Sequence, residues 1–470
     1  MSASGEELRD GSVIGIVGAG PAACFFALLA LKEAEGRGIR VHPVLFDGKS
    51  FLAEGPKGCN MCAGVISSRL CHEMERQLGL TIPPDRVQRL IRDYVFHTRE
   101  GSHLVIPPAG NGPVPVVFRG NGPRFSRQQG RISFDDYLLG EVLKRGGSIV
   151  RSFVESLSFP DRARRRPQVL WPGGKLDADL VVVASGVTSL FGKKLPEAGP
   201  GYRFPRCVRA FQAELDLGAS AVEGGLGDSI HVFSLGLRDI RFAAIIPKSR
   251  YATVSLVGNR DLGHEHLGLF LESPVVRRLF PADWRLPDRF CWCRPRLPVT
   301  GARRFYGNRL VMVGDASMCR YYKNGIESAF QTAGQAVRAA FRHGVDGPSL
   351  RRFYYAPVRR QFVPENLYAR VLFQLNDFVA SKRFWVRAHL DVVRRRPEGR
   401  TAQTLHHLTW NLFTGSSRYR DIFWMSLNPR FSLQMILTGI RLLLLSRCSA
   451  AARDTGPVAI LRENESRRKD

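Results

Sequence analysis

Apolar residues form an uncharged run over residues 13–31, and two glycines divide this run into parts of different length. The part before the glycines has the length and composition of a buried strand, whereas the part after them is long enough for a helix. Gly18 and Gly20 stand between the two parts and favour a turn. The pattern therefore predicts a strand, a glycine turn and a helix, although hydropathy alone would indicate a membrane span.

Two later apolar runs are each followed by an acid. The run VHPVLFD ends in Asp47, and residues 310–313 (LVMV) are followed by Gly314 and Asp315. A second helix is predicted to begin near Gly325, with small residues on its packing side. Both runs have the length of buried strands and end at turn signals.

After residue 345 the pattern becomes helical, and aromatic residues recur beside arginines. Residues 431–446 are apolar, but the run is short and Arg441 interrupts it. Such a pattern is typical of helices that lie in a membrane interface rather than span the bilayer. The alternative is an aromatic helical cap that packs on the rest of the protein and exposes a basic face.

Composition and charge narrow the possible classes of protein. The chain of 470 residues is long enough for two or three domains, and 44% hydrophobic residues exclude a disordered chain. Nine cysteines favour a reducing compartment, so we expect a cytoplasmic protein. The formal charge is +27, and residues 349–470 hold 22 Lys and Arg against 9 Asp and Glu. A polyanion is expected to bind there, but no nucleic-acid-binding module is recognisable and no nucleic-acid partner is predicted.

The first strand, turn and helix carry the spacing of a dinucleotide site. Gly18, Gly20 and Ala23 occupy the three positions of G-x-G-x-x-G/A, in which the glycines allow a tight turn and a close approach of the pyrophosphate. The helix beginning at Pro21 and Ala22 would direct its N-terminus at the phosphates. Asp47 is placed to accept hydrogen bonds from a ribose. This end of the chain does not distinguish NAD from FAD.

The segment from residue 310 onward resembles the second flavin motif of FAD enzymes of the hydroxylase and geranylgeranyl reductase superfamily. The resemblance implies that Gly314 and Asp315 contact the ribityl chain, and that the turn Asn324, Gly325, Ile326 faces the flavin. RISFDDYLL resembles the superfamily's R-x-x-F-D-x-x-L segment and implies that Arg131 lies near FAD. Where many members have A-D-G-x-x-S, this chain has Ser185 in place of the aspartate.

GPKGCNMCAG follows the ribose acid and resembles P-x-x-K-x-C-G-G of geranylgeranyl reductases. The resemblance implies that Cys62 and Gly64 lie at the flavin ring, with Cys62 as the candidate catalytic residue. Phe242 and Pro247 correspond to the family's W-x-F-P strand, which lines the substrate cavity, although the tryptophan is absent. Cys59 has no counterpart in the pattern.

The cysteine spacing leaves three alternatives open. Cys59 and Cys62 form C-x-x-C, and Cys291 and Cys293 form C-x-C. Together they could bind zinc or an iron-sulfur cluster, form a redox disulfide, or pack as small apolar residues. No metal site is predicted.

The expected fold is α/β: a Rossmann-like FAD-binding domain of hydroxylase type, an inserted antiparallel-sheet substrate domain and a C-terminal helical region. The predicted domain boundaries are 11–72, 124–200 and 300–345 for FAD, 73–123 and 201–299 for substrate, and 346–470 for the basic helical region.

The resemblance implies an FAD-dependent oxidoreductase that reduces carbon-carbon double bonds of a geranylgeranyl-type isoprenoid lipid by hydride transfer from reduced flavin. NADPH or a reduced carrier would donate the electrons. The expected partners are the hydrophobic substrate and an anionic membrane surface, with which the protein would associate peripherally through the C-terminal region. The alternatives are a flavin monooxygenase acting on a hydrophobic substrate, a metal-containing electron-transfer flavoprotein, and a flavin-binding scaffold.

Overall fold

The computed structural model describes residues 6–108, 112–126, 130–159, 166–187, 191, 201–322, 324–395 and 398–454, except for the side chains of 446–454. The strands are β1 Ser12–Val17, β2 Val41–Phe46, β3 Val87–Ile91, β4 Asp93–Thr98, β5 Gly101–Val105, β6 Val114–Val117, β7 Ser148–Val150, β8 Ser156–Ser158, β9 Gln168–Trp171, β10 Gly174–Asp177, β11 Leu180–Val183, β12 Cys207–Asp216, β13 Ser229–Ser234, β14 Ile240–Pro247, β15 Tyr251–Gly258, β16 Cys291–Cys293, β17 Arg296–Pro298, β18 Tyr306–Gly307 and β19 Leu310–Met312. The helices are α1 Pro21–Glu35, α2 Ser68–Leu78, α3 Phe134–Lys144, α4 Ala219–Gly225, α5 His264–Leu271, α6 Pro274–Arg277, α7 Gly325–Arg342, α8 Gly347–Leu350, α9 Ala356–Ser381, α10 Arg383–Arg395, α11 Arg400–Thr414, α12 Tyr419–Ser426 and α13 Pro429–Asp454.

The first sheet has six strands in the order β18-β19-β11-β1-β2-β7, and all neighbours except β18 and β19 are parallel. All four residues of β11 are buried, as expected for a parallel strand covered on both faces. Helices α1 and α7 pack against each other, and the rings of Phe25 and Phe330 meet edge to face with centroids 5.1 Å apart. The strand, turn and helix predicted from residue 13 onward therefore form the centre of this layer.

The second sheet has eight strands, with β16-β12-β15-β14-β13-β4-β5 in order and β17 also paired with β12. Its neighbours are antiparallel except β4 and β13, which are parallel. These two strands come from segments far apart in the chain, so no hairpin constrains their direction. The predicted inserted sheet is confirmed, with this one parallel pair added.

In the described part of the chain after residue 345 the regular structure is helical, as predicted. Helix α9 packs on α12, and α10 packs on α13. In the part of the chain that the structure describes, no helix is long and apolar enough to cross a membrane. The domain boundaries proposed from the sequence stay predictions.

Candidate functional site

A cavity of about 820 Å³ lies between the first sheet, the second sheet and the C-terminal helices. This volume is within the roughly 300–1,000 Å³ typical of cofactor and ligand sites. Eleven of the residues singled out in the sequence line it: Gly18, Gly20, Pro21, Ala22, Asp47, Cys62, Phe242, Asp315, Asn324, Gly325 and Ile326. Tertiary structure thus brings segments from both ends of the chain to one site.

The glycine turn packs closely against the turn that follows β11. Gly18 has a φ of +106°, and a Cβ atom there would stand 2.8 Å from the carbonyl oxygen of Ala184. Only glycine combines this backbone conformation with so close an approach. Helix α1 begins with Pro21 and has no side-chain cap, so its first amides are available to an anion. Ala23 is fully buried and serves packing rather than lining the cavity.

Asp47 connects the glycine turn to the end of β2. One carboxylate oxygen accepts the Ala19 amide at 3.0 Å, and the other accepts the Lys49 amide at 2.9 Å. A carboxylate can accept about four hydrogen bonds. Asp47 therefore retains acceptor capacity on the cavity side, where a ribose hydroxyl would bind.

Gly314 and Asp315 lie at the junction of α1 and α7. Gly314 has a φ of +64°, its amide donates to Thr332 Oγ1 at 2.9 Å, and a Cβ there would be 2.8 Å from the Cβ of Ala22. Burial raises the pKa of Asp315, and the charge of Arg119 partly offsets this effect. The folded protein thus holds a carboxylate in the cavity wall that is costly to ionise without a partner.

Asp315→Asn is expected to stabilise the cofactor-free protein at neutral pH and to weaken FAD binding by roughly tenfold to a hundredfold, the range for a hydrogen bond to a charged group. Because the folded-state pKa is raised, the stability that Asp315 contributes is present at acidic pH and is lost as the pH rises through that pKa. The melting temperature, followed against pH, measures the effect on stability, and titration with FAD measures the effect on affinity. Asp283→Asn, at an exposed site, is the control; lower stability of the variant at neutral pH would contradict the prediction.

The start of α7 has a buried acid that the sequence analysis did not single out. Glu327 is 3% exposed and accepts hydrogen bonds from Ser67 Oγ at 2.7 Å and from Asn324 Nδ2 at 3.1 Å. Asn324 adopts a φ of +52° and also donates to the Gly415 carbonyl at 3.3 Å. Glu327 therefore ties the predicted flavin-facing turn to the start of α2.

Cys62 lines the cavity, whereas Cys59 does not. The Gly64 amide donates to Cys62 Sγ at 3.5 Å, and Gly64 has a φ of +82°. A Cβ at Gly64 would clash with the Val117 carbonyl oxygen, and the Val117 amide donates to the Gly64 carbonyl at 2.9 Å, which holds the loop against β6. Gly64 itself lies outside the lining. Burial raises the pKa of Cys59, so this thiol stays protonated at neutral pH.

Cys291 and Cys293 lie on β16, opposite Glu214 and Gln212 of β12. Burial raises the pKa of Cys291 to about 11 and that of Cys293 further. Among the described residues, no group of three or more His, Cys, Asp or Glu is arranged to bind a metal, and all eight described cysteines are free thiols. Packing is the role that this geometry supports for Cys291 and Cys293.

Arg119 lines the cavity, whereas Arg131 does not. Arg131 is exposed. Arg119 is 7% exposed and donates to the fully buried Asp135 from Nε at 2.5 Å and from a terminal nitrogen at 2.9 Å. Burial lowers the pKa of Arg119, but the Asp135 carboxylate raises it more, and the net result is a raised pKa. Asp135 belongs to the same R-x-x-F-D segment as Arg131. The residue of this motif that contacts Arg119 is therefore its aspartate and not its arginine.

Beyond these polar groups the cavity continues into an apolar chamber. The chamber wall is formed by Tyr94, Val114, Ile230, Val232, Ala244, Ile246, Trp410 and Phe413. Trp410 and Phe413 come from α11, and Trp410 is 1% exposed with its ring edge to face against Tyr94 at 5.3 Å. Phe242 lines the chamber, whereas Pro247 is buried outside the lining. The C-terminal region is thus part of the site.

Arg320 attaches the C-terminal region to the wall of the cavity. It is 7% exposed and donates to the carbonyl oxygens of Gly415 and Ser417, and its guanidinium lies 4.6 Å from the centre of the Tyr419 ring. On the opposite wall, the Ser185 hydroxyl is buried and has no hydrogen-bond partner among the described residues. A bound polar group could satisfy this hydroxyl.

No family model matches the chain, and no curated protein matches its sequence. Solved structures do match. A geranylgeranyl bacteriochlorophyll reductase-like protein from Thermoplasma acidophilum aligns with a TM-score of 0.62 and 14% identity, over 91% of this chain and 99% of that one. The p-nitrophenol 4-monooxygenase PnpA from Pseudomonas putida DLL-E4 aligns with a TM-score of 0.55 and 16% identity, over 88% and 97%.

The halogenase PltM in complex with phloroglucinol and FAD aligns with a TM-score of 0.57 and 15% identity, over 88% of this chain and 85% of that one. At such identities the likeness establishes the fold. The chain therefore has the FAD-binding hydroxylase-type fold, with the inserted sheet and the C-terminal helices that its sequence predicts.

Proposed function

We propose that the protein is an FAD-dependent oxidoreductase that reduces carbon-carbon double bonds of an isoprenoid lipid. The observation that carries this proposal is the continuity of one cavity, which runs from the glycine turn and Asp315 into an apolar chamber closed by Trp410 and Phe413. Polar groups gather at the nucleotide end and apolar groups at the other, as expected for a cofactor that meets a hydrophobic substrate.

The residues present fit FAD. The uncapped amides of α1 would bind the pyrophosphate, Asp47 would accept from the adenosine ribose, and Asp315 would accept from the ribityl chain. The buried Ser185 hydroxyl would gain a partner, and the amides of Gly325 and Ile326 would face the ring. When bound and reduced, FAD supplies the hydride for the substrate carbon. The chain holds the substrate, excludes water from the chamber and places the Cys62 thiol at the cavity wall.

NADPH or a reduced carrier is the proposed electron donor, and an anionic membrane surface is the proposed location of the lipid. The excess of Lys and Arg after residue 349 supports peripheral membrane association.

Mass spectrometry of geranylgeranyl lipids tests the proposal. Anaerobic incubation with chemically reduced protein in detergent is expected to add pairs of hydrogen atoms without oxygen. Oxygen gained only in a matched aerobic run with NADPH would favour the alternative of a flavin monooxygenase, the class of enzyme to which PnpA belongs. No change in mass in either run would refute both.

Cys62→Ala is expected to retain FAD and to lower the turnover by roughly 10²-fold or more if the thiol transfers the proton. Cys59→Ala is the matched control because it alters the other thiol of the same motif, which lies outside the cavity. Single-turnover rates and flavin absorbance separate chemistry from cofactor loss. Equal rates for wild type and Cys62→Ala would leave Cys62 as an inert wall residue.

A further inference from the structure

Helix α9 has apolar residues on two opposite faces. Its inner face packs Ala369, Leu372 and Phe373 into the protein. Its outer face carries the α9 ridge, a line of large apolar side chains at helical spacing, each at least 40% exposed: Val363, Leu367, Val371, Leu375 and Phe378. A helix that contacts only water on its outer face would have polar residues there.

Helix α13 repeats this arrangement. Met435 is buried against α10, and Leu442 is partly buried beside it. The opposite face carries the α13 ridge, whose members are each at least 46% exposed: Leu433, Ile436, Leu437, Ile440 and Leu444. Two long helices of the same region thus expose apolar ridges, which is unusual for a surface that contacts only water.

Charge complementarity indicates what covers these ridges. Acids of α9 and α10 are engaged in internal contacts: Asp377 pairs with Arg241 at 2.6 Å, and Asp391 pairs with Arg441 at 2.7 Å. In contrast, the structure describes no carboxylate partner for three exposed arginines of the ridge helices, namely Arg360 and Arg370 of α9 and Arg430 of α13. Apolar ridges with neighbouring unpaired arginines match the interface of an anionic bilayer, whereas two copies of the same basic surface would repel each other.

The inner face of α9 contacts the wall of the chamber. The Phe373 ring lies 5.2 Å from that of Tyr322 and 6.2 Å from that of Phe242, and both of these residues line the cavity. The Arg241 guanidinium lies over Tyr322 and Phe373 and holds Asp377, which fixes α9 in place. One helix diameter, about 10 Å, therefore separates the α9 ridge from the chamber wall.

We propose that the α9 and α13 ridges insert into the interface of an anionic bilayer, and that α9 is the partition past which an apolar substrate passes from the lipid into the chamber. This inference rests on the proposed function for the substrate route. The membrane contact itself needs neither substrate nor reductant. Its failure is therefore distinguishable from failure of the proposed reaction.

Sedimentation with vesicles of phosphatidylcholine and phosphatidylglycerol tests the contact, with the full chain carrying FAD. Leu367→Gln and Leu437→Gln together are expected to lower the partition coefficient by about tenfold or more, because each removes a leucine from the apolar surface. Leu143→Gln is the matched control, since Leu143 is 41% exposed on α3, outside both ridges. Weaker binding to vesicles of phosphatidylcholine alone is expected for all three proteins.

Two results would overturn the inference. The first is equal vesicle binding by the wild type and the ridge variant. The second is a wild-type dimer that the ridge substitutions convert to a monomer, which would show that the ridges bind a second copy of the chain.

A separate experiment tests the substrate route. The ridge variant is expected to lose turnover of isoprenoid embedded in vesicles and to retain turnover of isoprenoid dispersed in detergent. Equal loss in both forms would refute the role of α9 as a partition.

Discussion

Arg119→Met is expected to lower the free energy of unfolding by about 3–5 kcal/mol, the cost of leaving a buried charge without its partner. Asp135 is fully buried, and its carboxylate accepts both from Arg119 and from the Asn60 side chain. Methionine keeps much of the volume but removes the charge and both hydrogen bonds. Urea denaturation followed by circular dichroism measures the loss.

The exposed pair Arg209 and Asp261 provides the control. Its atoms are 2.6 Å apart, but the side chains are 46% and 60% exposed. Arg209→Met should therefore cost no more than about 1 kcal/mol. The double variant Arg119→Met with Asp135→Leu should be more stable than Arg119→Met alone, because it removes the stranded carboxylate. A loss below 1 kcal/mol for Arg119→Met would show that the pair is not needed for the fold.

Gly18→Ala is expected to weaken FAD binding by at least about tenfold, because it adds about 1–3 kcal/mol of backbone strain and places a methyl group against the Ala184 carbonyl. The Ala184 backbone belongs to the turn after β11 and cannot move without disturbing the sheet. A shift of the glycine turn would misdirect the first amides of α1. Titration of the cofactor-free protein with FAD measures the affinity.

Gly11→Ala is the control that introduces backbone strain without a steric contact. Gly11 has a φ of +78°, but a Cβ there would meet nothing within 4 Å. Both variants should lose comparable stability from strain, whereas only Gly18→Ala should lose FAD affinity. Similar FAD affinity for the two variants would show that the glycine turn does not bind the cofactor.

The elements of the nucleotide end could be predicted because local patterns specify them. The run of residues 13–31 does cover most of strand β1, the turn and most of helix α1. The strand that begins at Leu310 does precede a helix that begins at Gly325. These predictions rely on the periodicity of strands and helices and on the need for glycine at positive φ. Both depend only on residues that are close together in the chain. The order of the motifs along the chain then indicated that residues 13–31 and the segment from residue 310 onward form one site.

The residues that the sequence analysis missed are those whose role depends on distant contacts. Arg119 gains its importance from Asp135, and Glu327 gains its importance from Ser67, which lies 260 residues away in the chain. Trp410 belongs to none of the sequence motifs, although it lines the chamber. No spacing rule connects such residues, because their separation along the chain does not limit their distance in the fold.

The α/β fold, the glycine turn, the acids that follow β2 and β19, and the basic helical character of the C-terminal region could all be predicted from local sequence patterns. Short-range conformational preferences and the periodicity of burial are sufficient for these features. Three features become visible only in the folded chain: Arg119 lines the cavity and binds Asp135, α11 contributes Trp410 and Phe413 to the chamber, and α9 exposes one apolar face while the other packs against the chamber wall. These features depend on which surfaces meet, and the packing of distant segments determines that.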